Sequence, residues 1–229
     1  MEPCLGGCRF PRPGLLTRRA VLLAAAGLAA RQAGAALPVP SAGTLAFRMV
    51  RHDSEIGRHT LTFERRGGAL TVRVAVDALV TFLAIPIVRY RHRLVETWQG
   101  ETLVGLVGET DKNGEHGWVN ARRTSEGLVV RGSQTARYVA PENALDISYW
   151  NKRLMDGPMI STDDGLLVHP RVEARGAETI RLASGGTITA NHYNVSDTFH
   201  ADVWYDLTGT WVSLALIVAD GSIVHYERL

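Results

Sequence analysis

FLAIPIVRYRHRLVETW, residues 82–98, passes from an apolar run through Arg89, Arg91, His92 and Arg93 to a tryptophan. Taken linearly it is a basic patch of the kind that binds nucleic acid; taken as a strand it separates into two sides. Alternate residues of a strand face opposite ways, so Arg89, Arg91 and Arg93 share one side with Val95 and Thr97. Val88, Tyr90, His92, Leu94, Glu96 and Trp98 share the other. One of these sides must face the interior.

The turns on either side set the register. Gly100-Glu101 suits a two-residue II′ turn, which places Trp98 opposite Leu103, Glu96 opposite Gly105, Leu94 opposite Val107 and His92 opposite Glu109. Asn113-Gly114 suits a I′ turn, because both central residues need positive φ. It sets Asp111 against His116, Glu109 against Trp118, Val107 against Asn120 and Gly105 against Arg122. Neighbours of this kind approach to about 5 Å. On this register His92 can pair with Glu109, and Glu96 can reach Arg122 over side-chain-free Gly105. Such pairs are either structural ties between three strands or the polar groups of a ligand cavity, since a buried charge without a partner is costly. The candidate ligand-binding set is Tyr90, His92, Glu96, Trp98, Glu109, Trp118 and Arg122.

The same alternation continues along the chain. Strands are expected near 45–50, 58–64, 69–79, 87–98, 102–110, 116–123 and 128–132. A second group follows at 166–168, 172–174, 179–182, 187–194, 199–205, 211–219 and 223–228, the last two joined by a I′ turn at Asp220-Gly221. Regular turn spacing with β-branched and aromatic enrichment argues for a mainly β fold: one antiparallel domain, 44–229, curled into a barrel or clam. One short helix is expected over 141–155, with Asn143 or Asp146 as N-cap and Gly157-Pro158 as stop. Residues 36–43 read as a disordered linker.

The first 35 residues read as a leader. Arg18-Arg19 precede Val21, Leu22 and an Ala/Leu/Gly run, and Ala33-Gly34-Ala35 supplies an A-x-A cleavage site, together a twin-arginine export signal. The apolar run is shorter than the roughly 18–20 residues of a membrane span, and Arg31 closes it. A periplasmic product that has met the Tat export machinery is the expectation. The whole chain has 25 Lys and Arg against 23 Asp and Glu. Removing the leader's five arginines and Glu2 changes the net charge from +2 to −2, so the global case for nucleic-acid binding disappears. Cys4 and Cys8 leave with the leader, so the mature chain has no disulfide, thiolate nucleophile or cysteine metal ligand.

Motifs of catalysis are sparse. No G-x-S-x-G elbow occurs, and Ser133 and Ser184 read as turn residues. The histidines form neither H-x-H nor H-E-x-x-H; a site assembled from His192, His200 and Asp202 would be needed for a metal, and none is expected. Asp111-Lys112-Asn113-Gly114-Glu115 lacks the glycine and glutamate spacing of an EF-hand, so it reads as a hairpin. Gly67-Gly68 and Gly185-Gly186 precede no helix and are not phosphate loops. No cofactor is expected.

The run from Phe82 to Arg93, followed by Glu96-Thr97-Trp98, Leu103 and Thr110-Asp111-Lys112-Asn113-Gly114, resembles a bacterial family described as domain of unknown function 6134. So do Phe47, Ile56-Gly57-Arg58-His59, Ser148-Tyr149-Trp150-Asn151, Asp202-Val203-Trp204-Tyr205-Asp206 and Asp220-Gly221. The likeness covers nearly all of the mature chain and carries no activity. It implies an exported β-rich domain, distantly similar to lipoprotein-localisation carriers whose open barrels hold acyl chains. The chain departs from those carriers in having too little helix to cover the barrel mouth.

The leading expectation is therefore a periplasmic β-barrel-like protein that binds an apolar or amphipathic molecule such as a lipid. The alternatives are an enzyme using His92, Glu96 and Glu109 as acid/base groups, or a structural or interaction module of the cell envelope.

Overall fold

The computed structural model describes residues 36–83 and 85–229. The expected leader, with Arg18 and Arg19, lies outside them. Thirteen antiparallel strands form one sheet, built almost wholly from consecutive hairpins. The first run is β1 (Thr44–Arg51), β2 (Ser54–Arg66), β3 (Ala69–Phe82), β4 (Ile85–Gln99), β5 (Thr102–Lys112), β6 (Glu115–Thr124), β7 (Gly127–Gly132) and β8 (Thr135–Ala140). A segment over 141–170 follows, containing β9 (Leu145–Asp146), a 3-10 turn (Lys152–Asp156), β10 (Met159–Ile160) and β11 (Leu167–Val168). The chain then returns to the large sheet as β12 (Arg171–Arg181), β13 (Thr187–Ser196), β14 (His200–Asp206), β15 (Trp211–Ile217) and β16 (Ile223–Arg228). Pairing of β16 with β1 joins the two runs, leaving β8 and β12 as the edges of a sheet that does not close.

One face of the sheet wraps around the 141–170 segment. Trp150 packs edge-on against Phe63 of β2 and Trp98 of β4, with ring centroids 5.3 and 5.5 Å away. From the other run, the Tyr205 hydroxyl of β14 donates to the Tyr149 carbonyl at 2.7 Å, and from β8 the Tyr138 hydroxyl donates to the Gly165 carbonyl at 2.9 Å. Residues 141–170 thus plug the concavity, and the core is the inner face of the sheet plus this plug.

The alternation expected for residues 82–98 holds. Leu94, Glu96 and Trp98 are buried together with His92, while Arg89, Arg91 and Arg93 are exposed, so the arginine side is the solvated one. Asn113 and Gly114 both have positive φ, 56° and 90°, as a I′ turn requires, and the β5–β6 register is the expected one.

Several local expectations fail for identifiable reasons. Residues 141–155 do not form a helix; their polar groups serve a turn, the two-residue β9 and a 3-10 turn capped by Asn151, whose Oδ1 accepts from the Arg153 amide at 3.2 Å. Burial of Ala144, Leu145, Trp150 and Leu154 inside the sheet outweighs helical propensity there. Residues 36–43 carry no strand, but Leu37 is buried in the core, so this stretch is not a free linker. Residues 135–140 form a strand that alternation did not suggest, because β8 is an edge in which only Ala140 is buried. At Asp220-Gly221 only Gly221 has positive φ, and Val218 closes on Ser222, giving a three-residue loop in place of the two-residue I′ turn.

Candidate functional site

The expected β4–β5 register shifts by one residue inside β5. Trp98 faces Leu103 as expected, but Thr97 faces Gly105, so Val104 is an extra residue in a β-bulge. Beyond a bulge every side chain changes face. His92 is therefore opposite Thr110, and Glu109 is opposite Arg93 on the outer side. Glu109, Trp118 and Arg122 are all exposed, so the expected His92–Glu109 and Glu96–Arg122 pairs do not form. Tyr90, His92, Glu96 and Trp98 do share the inner face.

Glu96 and Trp98 lie beneath the plug. The Trp98 and Trp150 indole N–H groups donate to Glu96 Oε2 at 2.7 and 2.9 Å. Asp146 of β9 lies against the same carboxyl. Burial, reinforced by the Asp146 charge, holds the Glu96 carboxyl well above the usual carboxylate range, and burial pushes Asp146 up to about 6. Asp146 Oδ2 is buried with no hydrogen-bond partner, and with both pKa values raised the pair of carboxyls retains a proton. This arrangement locks plug to sheet. With His92 elsewhere and Glu109 outside, the three groups expected of an acid/base centre do not converge.

Tyr90 and His92 line a different space. Between the sheet and one end of the plug is a cavity of about 540 Å3, walled mainly by apolar side chains including Met49, Val74, Val76, Leu94, Ile147 and Leu216. Its volume falls in the range of about 300–1,000 Å3 typical of small-molecule sites. At its inner wall His59, Val76 and His92 stand side by side on β2, β3 and β4, with Thr110 of β5 next in the row behind them. Asp163, from the plug, closes the row: its Oδ1 accepts from the Tyr90 hydroxyl at 2.7 Å and from Thr110 Oγ1 at 2.9 Å.

Glycine is what lets the plug come so close. A Cβ on Gly117 of β6 would lie 2.4 Å from the Asp163 carbonyl, and one on Gly132 of β7 would lie 1.9 Å from the Asp164 carbonyl. Both contacts are with backbone, so neither position accepts a larger residue without moving the plug.

The network dictates the state of His92. Thr110 spends its proton on Asp163, so its oxygen accepts from His92 Nδ1 at 2.8 Å, and Nε2 of a neutral ring is left as an acceptor. Burial lowers the His92 pKa against the opposing pull of Asp163, favouring that neutral ring. His59 is boxed by Phe47, Trp211 and Tyr226, with centroids 6.3, 5.1 and 5.7 Å away. Burial, and then His92, push it down to about 3. Neither His59 ring nitrogen has a hydrogen-bond partner in the protein, although the ring lines the cavity.

His59 was legible in the sequence, since at two-residue spacing it shares a strand face with Leu61 and Phe63 on β2. Asp163 was not, because it follows a segment whose path only packing decides. The His192, His200 and Asp202 grouping resolves into an outer-surface cluster in which His192 pairs with Asp202 at 2.7 Å and Glu178 at 3.2 Å. No set of three potential ligands suited to a metal occurs among the described residues.

No curated protein matches the chain. A solved structure, the β-barrel-like protein of domain of unknown function DUF1849 from Brucella abortus, is similar to it with a TM-score of 0.58 and 10% identity. The match covers 81% of this chain and 94% of that one, and speaks for the fold alone. The profile of the domain of unknown function DUF6134 matches residues 47–229, most of the chain, including the whole sheet from the middle of β1 onward. This chain is a member of the DUF6134 family.

Proposed function

We propose that this protein binds an apolar molecule bearing a hydroxyl or other neutral hydrogen-bonding end, such as a neutral lipid. One observation carries the reading. A buried imidazole, His59, lies in the wall of a mainly apolar cavity with no hydrogen-bond partner in the protein for either ring nitrogen. A polar group buried without a partner costs about 1–3 kcal/mol, and a ligand hydroxyl would offset that cost. The neighbouring charges narrow the class. Asp163 contributes negative charge to the inner wall, His59 and His92 are held neutral, and the Arg51 cation at the mouth is already paired with Asp220. Exposed Lys112 also borders the cavity; at the inner wall, beside Asp163, a free carboxylate would meet repulsion, whereas a hydroxyl can donate to His92 Nε2 and accept from His59.

The work is proposed to take place in the periplasm, after export through the Tat machinery and cleavage near Ala35. Support for the compartment is the Arg18-Arg19 leader.

Displacement of the neutral dye Nile red from the purified mature chain by dodecanol and by dodecanoate tests the proposal. Dodecanol should compete at least about tenfold better, a difference of about 1.4 kcal/mol. Equal competition, or none by either, would sink it.

A further inference from the structure

The β3–β4 hairpin outruns its neighbours. Pairing of β2 with β3 ends at Ala78 and pairing of β5 with β4 ends at Tyr90. Arg89 keeps a last tie to the neighbouring turn, its carbonyl accepting from the Asn113 amide at 2.9 Å and its amide donating to Asn113 Oδ1 at 2.7 Å; beyond it β3 and β4 pair only with each other, through Val80–Val88, to a turn at Leu83 with φ of 50°. At about 3.3 Å per residue, Leu79 to Leu83 is ~13 Å of projecting ribbon. Four of its exposed side chains are large and aliphatic: Leu79 is 42% exposed, Leu83 82%, Ile85 65% and Ile87 51%. Exposed aliphatic groups this concentrated mark a surface that is covered in use.

Two features argue that a lipid bilayer covers it. First, aliphatic side chains stand on both faces of the ribbon: Leu79 and Ile87 on one, Val80, Val88 and Ile85 on the other. A protein groove would take one face of a ribbon, whereas acyl chains surround both. Second, Val80 and Val88 are also walls of the cavity, and across the mouth the β15–β16 hairpin exposes Ile217 and Ile223 while lining the same space. The apolar tips therefore flank the cavity entrance and are continuous with its lining. At the base of the ribbon Arg89 is exposed and makes no ion pair among the described residues, at the level where a phospholipid phosphate would lie.

We infer that the β3–β4 hairpin tip inserts into the surface of a phospholipid membrane, holding the cavity mouth against the bilayer. The insertion is shallow, of the order of 5–10 Å, as for other interfacial elements. Hydrophobic contact supplies most of the attraction, with Arg89 adding a modest preference for anionic lipid.

Co-sedimentation of the mature chain with vesicles of phosphatidylethanolamine and phosphatidylglycerol tests this. The protein should pellet with the vesicles, and the Leu83→Asp/Ile85→Asp double variant should lose at least about tenfold in partitioning, because two aliphatic groups become carboxylates. Both positions are exposed, so folding should be unchanged by circular dichroism. Arg89→Gln should weaken binding to these vesicles only a few fold and leave binding to phosphatidylcholine vesicles unaltered. Failure of the parent chain to pellet, or equal pelleting of the double variant, overturns the inference. Nile red binding in free solution should be the same in the double variant, so loss of membrane docking and failure of the cavity as a binding site give different results.

Discussion

The indole N–H of Trp150, on the plug, donates to Glu96 Oε2, on the sheet, at 2.9 Å. This contact joins two parts of the chain that are 54 residues apart and lies where no solvent reaches either group. Removing the donor leaves a buried acid short of one partner. Trp150→Phe should cost about 1–3 kcal/mol in chemical denaturation. At roughly 2–4 °C per kcal/mol for a domain of this size, the melting temperature should fall correspondingly. An unchanged midpoint would mean the plug is held by shape alone.

Glu96 and Asp146 make stability depend on pH. Their folded-state pKa values are raised, Asp146 to about 6 and Glu96 well above its ordinary value, so the folded chain holds a proton that the unfolded chain releases. That contribution is complete below their unfolded values and is lost as pH rises through the folded ones. Subtracting the profile of Glu96→Gln, which keeps the shape without the ionisation, from that of the parent should leave a difference that declines from acid to neutral pH. A difference that rises with pH would refute the retained proton.

His59 contributes with the opposite sign. Its pKa is depressed to about 3, so folding excludes a proton that the unfolded chain binds below its ordinary value of 6.5. Stability from this group is present above 6.5 and is lost as the pH falls toward 3. The loss amounts to about 1.4 kcal/mol per pH unit within that window. In His59→Phe, which suits the surrounding aromatic rings, this acid-side slope should disappear. Parallel profiles of parent and variant would show that the ring charges freely.

Close approach at Gly132 predicts a steric penalty. Gly132→Ala sets a methyl 1.9 Å from the Asp164 carbonyl and must lift the plug, at a cost of about 1–3 kcal/mol. It should also weaken Nile red binding, because Asp163 moves with its neighbour. Gly186→Ala, which meets nothing nearer than the Ser184 hydroxyl at 3.9 Å, is the control and should stay within about 0.5 kcal/mol.

Filling the cavity should abolish its use while sparing the fold. Ala78 lines the space without being fully buried, so Ala78→Trp has room to enter it. Dye binding should fall at least about tenfold with little change in melting temperature. Retained binding would place the dye elsewhere.

Much of the architecture was legible in the residues. Period-two alternation in 82–98 identified the face carrying Tyr90, His92, Leu94, Glu96 and Trp98, and Asn113-Gly114 set the β5–β6 register, because side-chain alternation and the φ demands of short turns are local properties. Those properties suffice for a mainly antiparallel sheet and for hairpin order. They do not extend through a bulge. The single extra residue at Val104 sent Glu109, Trp118 and Arg122 outward, although each had been paired correctly or within one position of its true partner.

Only the tertiary structure decided the rest. Residues 141–155 have the composition of a short helix, yet the apolar interior offered by the curled sheet draws in Trp150 and Leu154 and leaves one 3-10 turn. That packing delivers Asp163 to Tyr90 and Thr110 and places Asp146 against Glu96, contacts between positions dozens of residues apart that alternation cannot report. Local sequence determined which side chains face inward on each unbroken strand; the meeting of the plug with the sheet decided which of them hold the fold and which line the cavity. The reason is physical: strand faces follow from neighbouring residues, whereas a cavity is what remains when distant ones have packed.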